Sequence, residues 1–233
     1  IGTASSSSYT DCLINCRNYL NQVLETDPSS VYMAITQNHL PSAGGSLIHP
    51  HLQINADFIP ANHHRFLKEK ADTWFKETDH LLFTDYLDHE KQDGSRYIGK
   101  TGDWEWVAAF APEGFYEIWG ILPEITSLRT SETAVWEGLA QGIANVQKYY
   151  RSLNRNGYNL GILSVETPSS RLELRVILVV RSNYAPWVRN DHTGFELMLG
   201  DMATFTLPED TAKQARIFWK TGMPDHEHMS ILL

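Results

Sequence analysis

Residues 44–53 read Gly-Gly-Ser-Leu-Ile-His-Pro-His-Leu-Gln, which puts His49, His51 and Gln53 at alternate positions. On an extended strand alternate side chains share a face, so two imidazoles and an amide would stand in a row. A neutral imidazole is a good nucleophile toward phosphorus near neutral pH. The phosphoramidate it forms can pass its phosphoryl group onward. A neighbouring amide donates N–H to a phosphoryl oxygen as charge builds there, without giving up a proton. The preceding Gly44, Gly45 and Ser46 read as a phosphate cradle of backbone N–H groups and one hydroxyl. A His-x-His pair by itself also serves metal ligation or plain packing. The whole string is far more specific than the pair.

The elements that must hold this string are legible as patterns. Leu13, Cys16, Leu20, Val23 and Leu24 recur at helical spacing over 9–25. Val31–Thr36 reads as a strand, 38–46 as a loop and Leu47–Phe58 as the strand carrying the histidines. Pro60 opens a helix with Leu67, Ala71, Trp74, Phe75 and Thr78 on its buried stripe. Residues 88–103 are polar and read as a connection with a short strand at Arg96–Ile98. WEWVAAFAP and FYEIWGILP follow as strands. A long helix from Ser131 buries Val135, Leu139, Ile143, Val146, Tyr150 and Leu153, and Asn156-Gly157 stops it. Asn159–Val165 and Leu172–Val180 are further strands, and a last helix starts near Pro208.

Helix, strand, loop and strand occur at 9–58 and again at 131–182. The expected fold is α+β, with two related halves built on antiparallel sheets flanked by helices. The division falls at residues 1–87 and 88–233, and the first unit carries the chemistry.

Composition narrows the partners. Of 233 residues, 42% are hydrophobic and 20% charged, which is the balance of a folded domain. The net charge of −9 argues against a surface that holds a nucleic-acid backbone, although a local basic site for a small anion is compatible with it. The longest strongly apolar run, Val176–Val180, is too short to cross a bilayer. The first ten residues lack the pattern of a signal peptide. Cys12 and Cys16 give neither a disulfide framework nor a paired zinc motif and read as buried small hydrophobes, so a cytoplasmic location is expected. His63-His64 reads as a solvated helix face, and His226 and His228 as part of a tail.

The string Gly-Gly-Ser-x-x-His-Pro-His-x-Gln resembles the active-site motif of the galactose-1-phosphate uridylyltransferases, in the histidine-triad superfamily. The likeness extends through Asn38, WEWVAAFAPEGFYEIWGILP and GFELMLGDMATFTLPEDTAKQAR. It lacks the family's N-terminal part, and the chain begins with Ile, so a truncated N-terminus is expected. The resemblance implies two histidine-triad-like halves, the second degenerate.

It also implies roles. His51 would attack the α-phosphorus of a nucleotide sugar and become nucleotidylated, and a sugar 1-phosphate would then take the nucleotide. Gln53, Asn38, Gly44, Gly45 and Ser46 would contact phosphate oxygens. His49 would orient His51 through its backbone carbonyl and, in some members, bind zinc. Gly194, Phe195 and Glu196 would recognise the hexose in the other subunit of a homodimer. Gln rather than His at position 53 favours transfer over hydrolysis, because an amide cannot protonate a leaving group.

Departures from the pattern carry expectations of their own. Arg175 and Ile177 stand where a second-repeat metal site would need histidines, so that site is expected to be absent. Met202 replaces a sugar-binding Gln, which leaves the sugar open. Two other readings stay alongside the uridylyltransferase one. One is a phosphorylase of ADP-sugars or dinucleoside polyphosphates. The other is a nucleotide-binding protein or inactive fragment without turnover.

Overall fold

The computed structural model describes residues 6–46, 49–129, 132–181, 198, 204 and 206–220. The chain opens with α1 (Ser6–Thr26), followed by β1 (Tyr32–His39), a short 3₁₀ turn (Pro41–Ala43) and β2 (Gln53–Asp57). Then come α2 (Asn62–Thr78), α3 (Leu82–Asp93), β3 (Tyr97–Thr101), β4 (Trp104–Ala108) and β5 (Phe115–Leu122). The last described elements are α4 (Thr133–Ser152), β6 (Tyr158–Val165), β7 (Leu174–Val180) and α5 (Pro208–Ala215).

The architecture is α+β, as expected. All seven strands join one sheet in the order β2-β1-β6-β7-β5-β4-β3, and every pairing is antiparallel. The sheet runs without a break across residues 87 and 88, and the expected division between two units falls inside α3. The helix–strand–strand order does occur twice, as α1-β1-β2 and α4-β6-β7, with β1 beside β6 and α1 packed on α4.

Strand alternation splits the core in two. Met33, Ile35, Leu160, Ile162, Val176 and Leu178 pack under α1, α4 and α5. Val107, Ile121, Val165, Trp119 and Tyr32 face α2 and α3 on the other side. α4 is fixed by the stripe the periodicity predicts: Val135, Leu139, Ile143, Val146 and Tyr150 are buried, while Leu153 is half-buried. Ala34, Thr36 and Asn38 share the α2–α3 face with Tyr32, and Gln53 pairs directly with Thr36. Gln53 is exposed there, so this end of the sheet is open.

Several local expectations need correction. β2 starts at Gln53, six residues later than predicted, so His49 and His51 precede the strand. Residues 88–93, expected to open a polar connection, instead complete α3. Its buried side chains are Phe83, Leu87 and Glu90, and Gly94 caps it with an N–H donated to the Glu90 carbonyl. The first turn is held from the residue just before β7: the Glu173 carboxylate accepts from the Phe83 and Thr84 amides at 2.7 and 3.1 Å. That cap lies about ninety positions away in sequence, and the buried Glu90 is neutralised by Arg96 at 2.9 Å. Neither effect shows in local periodicity. On α2, Ala71 is buried and Leu67 and Phe75 half-buried, but Trp74 and Thr78 are exposed. Cys12 is exposed and Cys16 half-buried, so Cys12 is not a core residue. Among the described residues no helix is long and apolar enough to cross a membrane.

Candidate functional site

Pro50 has no N–H and cannot enter a ladder, which suits a segment that joins the sheet only at Gln53. His49 is exposed and His51 half-buried. His51 Nδ1 lies 3.0 Å from the carbonyl oxygen of His49. With the proton on Nδ1, that nitrogen donates to the carbonyl and leaves the lone pair on Nε2. Leu52 packs on the core below, which holds the segment down while its neighbours stay accessible.

Gln53 is tied to a chain of amides. Asn38 donates from Nδ2 to Gln53 Oε1 at 3.3 Å. Asn159 on β6 donates to Asn38 Oδ1 at 2.7 Å and to the Ala43 carbonyl at 2.9 Å. Arg181, just past β7, donates to Asn159 Oδ1 at 2.8 Å. This arrangement uses the Gln53 carbonyl oxygen as acceptor and leaves its NH₂ donors aimed elsewhere. Asn159 and Arg181 were not among the sequence-predicted site residues. Asn at the start of an otherwise apolar strand, and Arg at the end of an apolar run, were the available signals.

The glycine loop works differently from the expectation. The Gly44 amide donates to the Pro41 carbonyl and the Gly45 amide to the Leu40 carbonyl, both at 3.0 Å. Neither amide is free to hold phosphate, so in this loop the glycines shape rather than donate. A Cβ at Gly45 would stand 2.8 Å from the Asn38 carbonyl oxygen and 2.9 Å from that of Leu40, both backbone atoms. Ser46 is exposed at the end of the loop. The turn is also approached closely from the second half of the chain: a Cβ at Gly157 would clash with Ser42 Oγ.

The remaining predicted residues fall as follows. Gly194, Phe195, Glu196, Met202, His226 and His228 lie outside the described residues. His63 is exposed, but His64 is buried, not solvated, with Nε2 2.9 Å from the Met33 carbonyl. Arg175 is buried between the Phe83 and Trp119 rings, 4.6 and 3.9 Å from their centroids. Among the described residues no three His, Cys, Asp or Glu side chains converge as metal ligands, at His49 or elsewhere.

No protein-family profile matches the chain. An uncharacterized protein of Archaeoglobus fulgidus is 29% identical over 214 residues, covering 92% of this chain, and the chain spans 63% of that relative's length. Similar solved structures include the following three. An ADP-glucose phosphorylase from Arabidopsis thaliana, with bound ADP-glucose, matches at TM-score 0.75 and 22% identity, over 91% of this chain and 67% of its own. A uridylyltransferase matches at TM-score 0.81 and 15% identity, over 95% and 70%. A GalT-like protein from Arabidopsis thaliana matches at TM-score 0.76 and 23% identity, over 91% and 69%. The chain has the fold shared by these uridylyltransferase and ADP-glucose phosphorylase structures.

Proposed function

We propose that this protein is a nucleotidyltransferase that carries a nucleoside monophosphate on His51. The observation that supports this best is the 3.0 Å contact between His51 Nδ1 and the His49 carbonyl, which presents Nε2 as the nucleophile at an open end of the sheet. In the first step Nε2 attacks the α-phosphorus of a nucleotide sugar. An N–P bond forms, the P–O bond to the sugar 1-phosphate breaks, and the leaving phosphate departs as an anion that needs no proton. In the second step an acceptor phosphate oxygen attacks the same phosphorus, the N–P bond breaks and the imidazole returns.

In this reading the NH₂ group of Gln53 binds the non-bridging oxygens as charge builds, with Asn38, Asn159 and Arg181 holding its carbonyl end. Ser46 supplies a hydroxyl donor, while Gly44 and Gly45 shape the loop. His49 acts through its backbone. The nucleotide is UMP and the acceptor a hexose 1-phosphate, bound with the help of Gly194, Phe195 and Glu196 in a homodimer of two-unit chains. A second reading keeps His51 and Gln53 but makes inorganic phosphate the acceptor and an ADP-sugar the donor. It is supported by the fold shared with the ADP-glucose phosphorylase.

The two readings part at the acceptor. Enzyme labelled with radioactive nucleotide is mixed with hexose 1-phosphate or with inorganic phosphate. Rapid discharge by the hexose 1-phosphate alone supports uridylyl transfer, and discharge by phosphate alone supports phosphorolysis. A chain that never acquires label contradicts both.

A further inference from the structure

A cavity of about 220 Å³ lies between the start of the glycine loop and the last turn of α4. His39, Leu40, Arg151, Arg155, Asn156 and Tyr158 help line it, and among the described residues no carboxylate does. His39 follows Asn38 on β1, so its side chain points to the opposite face of the sheet from the Gln53 network. There it stacks on Tyr158, with ring centroids 4.6 Å apart. The cavity is thus behind the candidate active site rather than part of it.

Its charge is opposite to that of the chain as a whole, whose net charge is −9. The carbonyl end of α4 contributes roughly half a negative charge. The lining also carries the Arg151 and Arg155 guanidinium groups, and among the described residues Arg155 has no ion-pair partner. Guanidinium forks match phosphate oxygens two at a time, and the amide of Asn156 adds a further donor. Leu40 links the cavity to the loop, because its carbonyl accepts both the Ala43 and the Gly45 amides.

We propose that this cavity is a second anion site, which takes a small phosphoryl-bearing molecule through Arg151 and Arg155 against the back of the glycine loop. The site stands on its own lining and does not depend on the chemistry assigned to His51.

The test uses the full chain carrying His51→Ala, with inorganic phosphate in one titration and glucose 1-phosphate in another. Binding is followed by calorimetry and by the backbone amide resonances of the chain. Saturable shifts at His39, Asn156 and Tyr158 are expected, with affinity at least about 10-fold weaker in Arg155→Glu and in Arg151→Ala. Equal affinity for the two ligands assigns the phosphoryl group alone, and tighter binding of glucose 1-phosphate assigns the sugar as well. Unchanged affinity in both arginine variants overturns the proposal. So does the absence of shifts at those three residues, including the case where shifts appear only around Ser46 and Gln53.

Discussion

Asn159 on β6 reaches across the sheet to Asn38 on β1, with Nδ2 2.7 Å from Oδ1. The same nitrogen holds the Ala43 carbonyl of the turn that leads into the glycine loop. A residue of the second helix–hairpin unit thereby fixes both the amide that grips Gln53 and the backbone that precedes Ser46. Replacing Asn159 by Ala removes this brace without touching His51 or Gln53. Nucleotidyl transfer in single-turnover assays should slow by about 10- to 100-fold, as for a misplaced reacting group, and unfolding free energy should drop by about 1–2 kcal/mol. An unchanged rate would show that Asn38 and Gln53 hold their positions unaided.

Gln53→Ala should slow transfer by about two to three orders of magnitude, the range for losing one donor to a developing oxyanion. Substrate binding should weaken much less than turnover. A rate equal to the parent protein's would remove Gln53 from the phosphate.

The two braced glycines give a stability test. Gly45→Ala sets a methyl against the Asn38 and Leu40 carbonyls and should destabilise by about 1–3 kcal/mol. Gly157→Ala meets the Ser42 hydroxyl instead, and that atom can be removed. Ser42→Ala should recover part of the loss in a double-mutant cycle read by urea unfolding. Strict additivity would mean that the turn and the α4–β6 connection are not in contact in solution.

Burial beside Tyr158 holds the His39 pKa below its usual value of 6.5. The unfolded chain therefore binds the proton more readily than the folded one, and stability falls as pH drops from about 6.5 toward the lowered folded value. Above that window the contribution is constant, because the ring is neutral in both states. His39→Asn should flatten this part of the pH–stability curve, measured as urea midpoints between pH 7.5 and 5. An identical slope in the variant would place the titration elsewhere.

Local pattern was sufficient where one face of an element meets the core. α1, α4, β1, β5 and β6 were visible as periodic apolar residues, and the predicted stripe of α4 lies at the centre of a wider buried face that also takes in Trp136, Ala140 and Tyr149. It was insufficient where tertiary partners decide. α3 depends on the Glu173 cap and the Glu90–Arg96 pair, which join segments far apart or bury charge. The β2 start was misplaced because alternation from Leu47 looked extended, although the ladder with β1 begins only at Gln53. The chemistry-bearing string was legible from residue types, but its support was not. Asn159 and Arg181 reach it only because β6 lies beside β1 and β7 beside β6. The sequence likewise suggested that the Gly44 and Gly45 amides were available, and the turn consumes both.

The most direct test of the central claim is the intact mass of the chain after incubation with UDP-glucose, and separately with ADP-glucose. The account predicts a gain of one nucleoside monophosphate with at least one of them, acid-labile as a phosphoramidate and absent in a folded His51→Asn variant. Label that persists in that variant, or a parent chain that gains no mass with either donor, would contradict it.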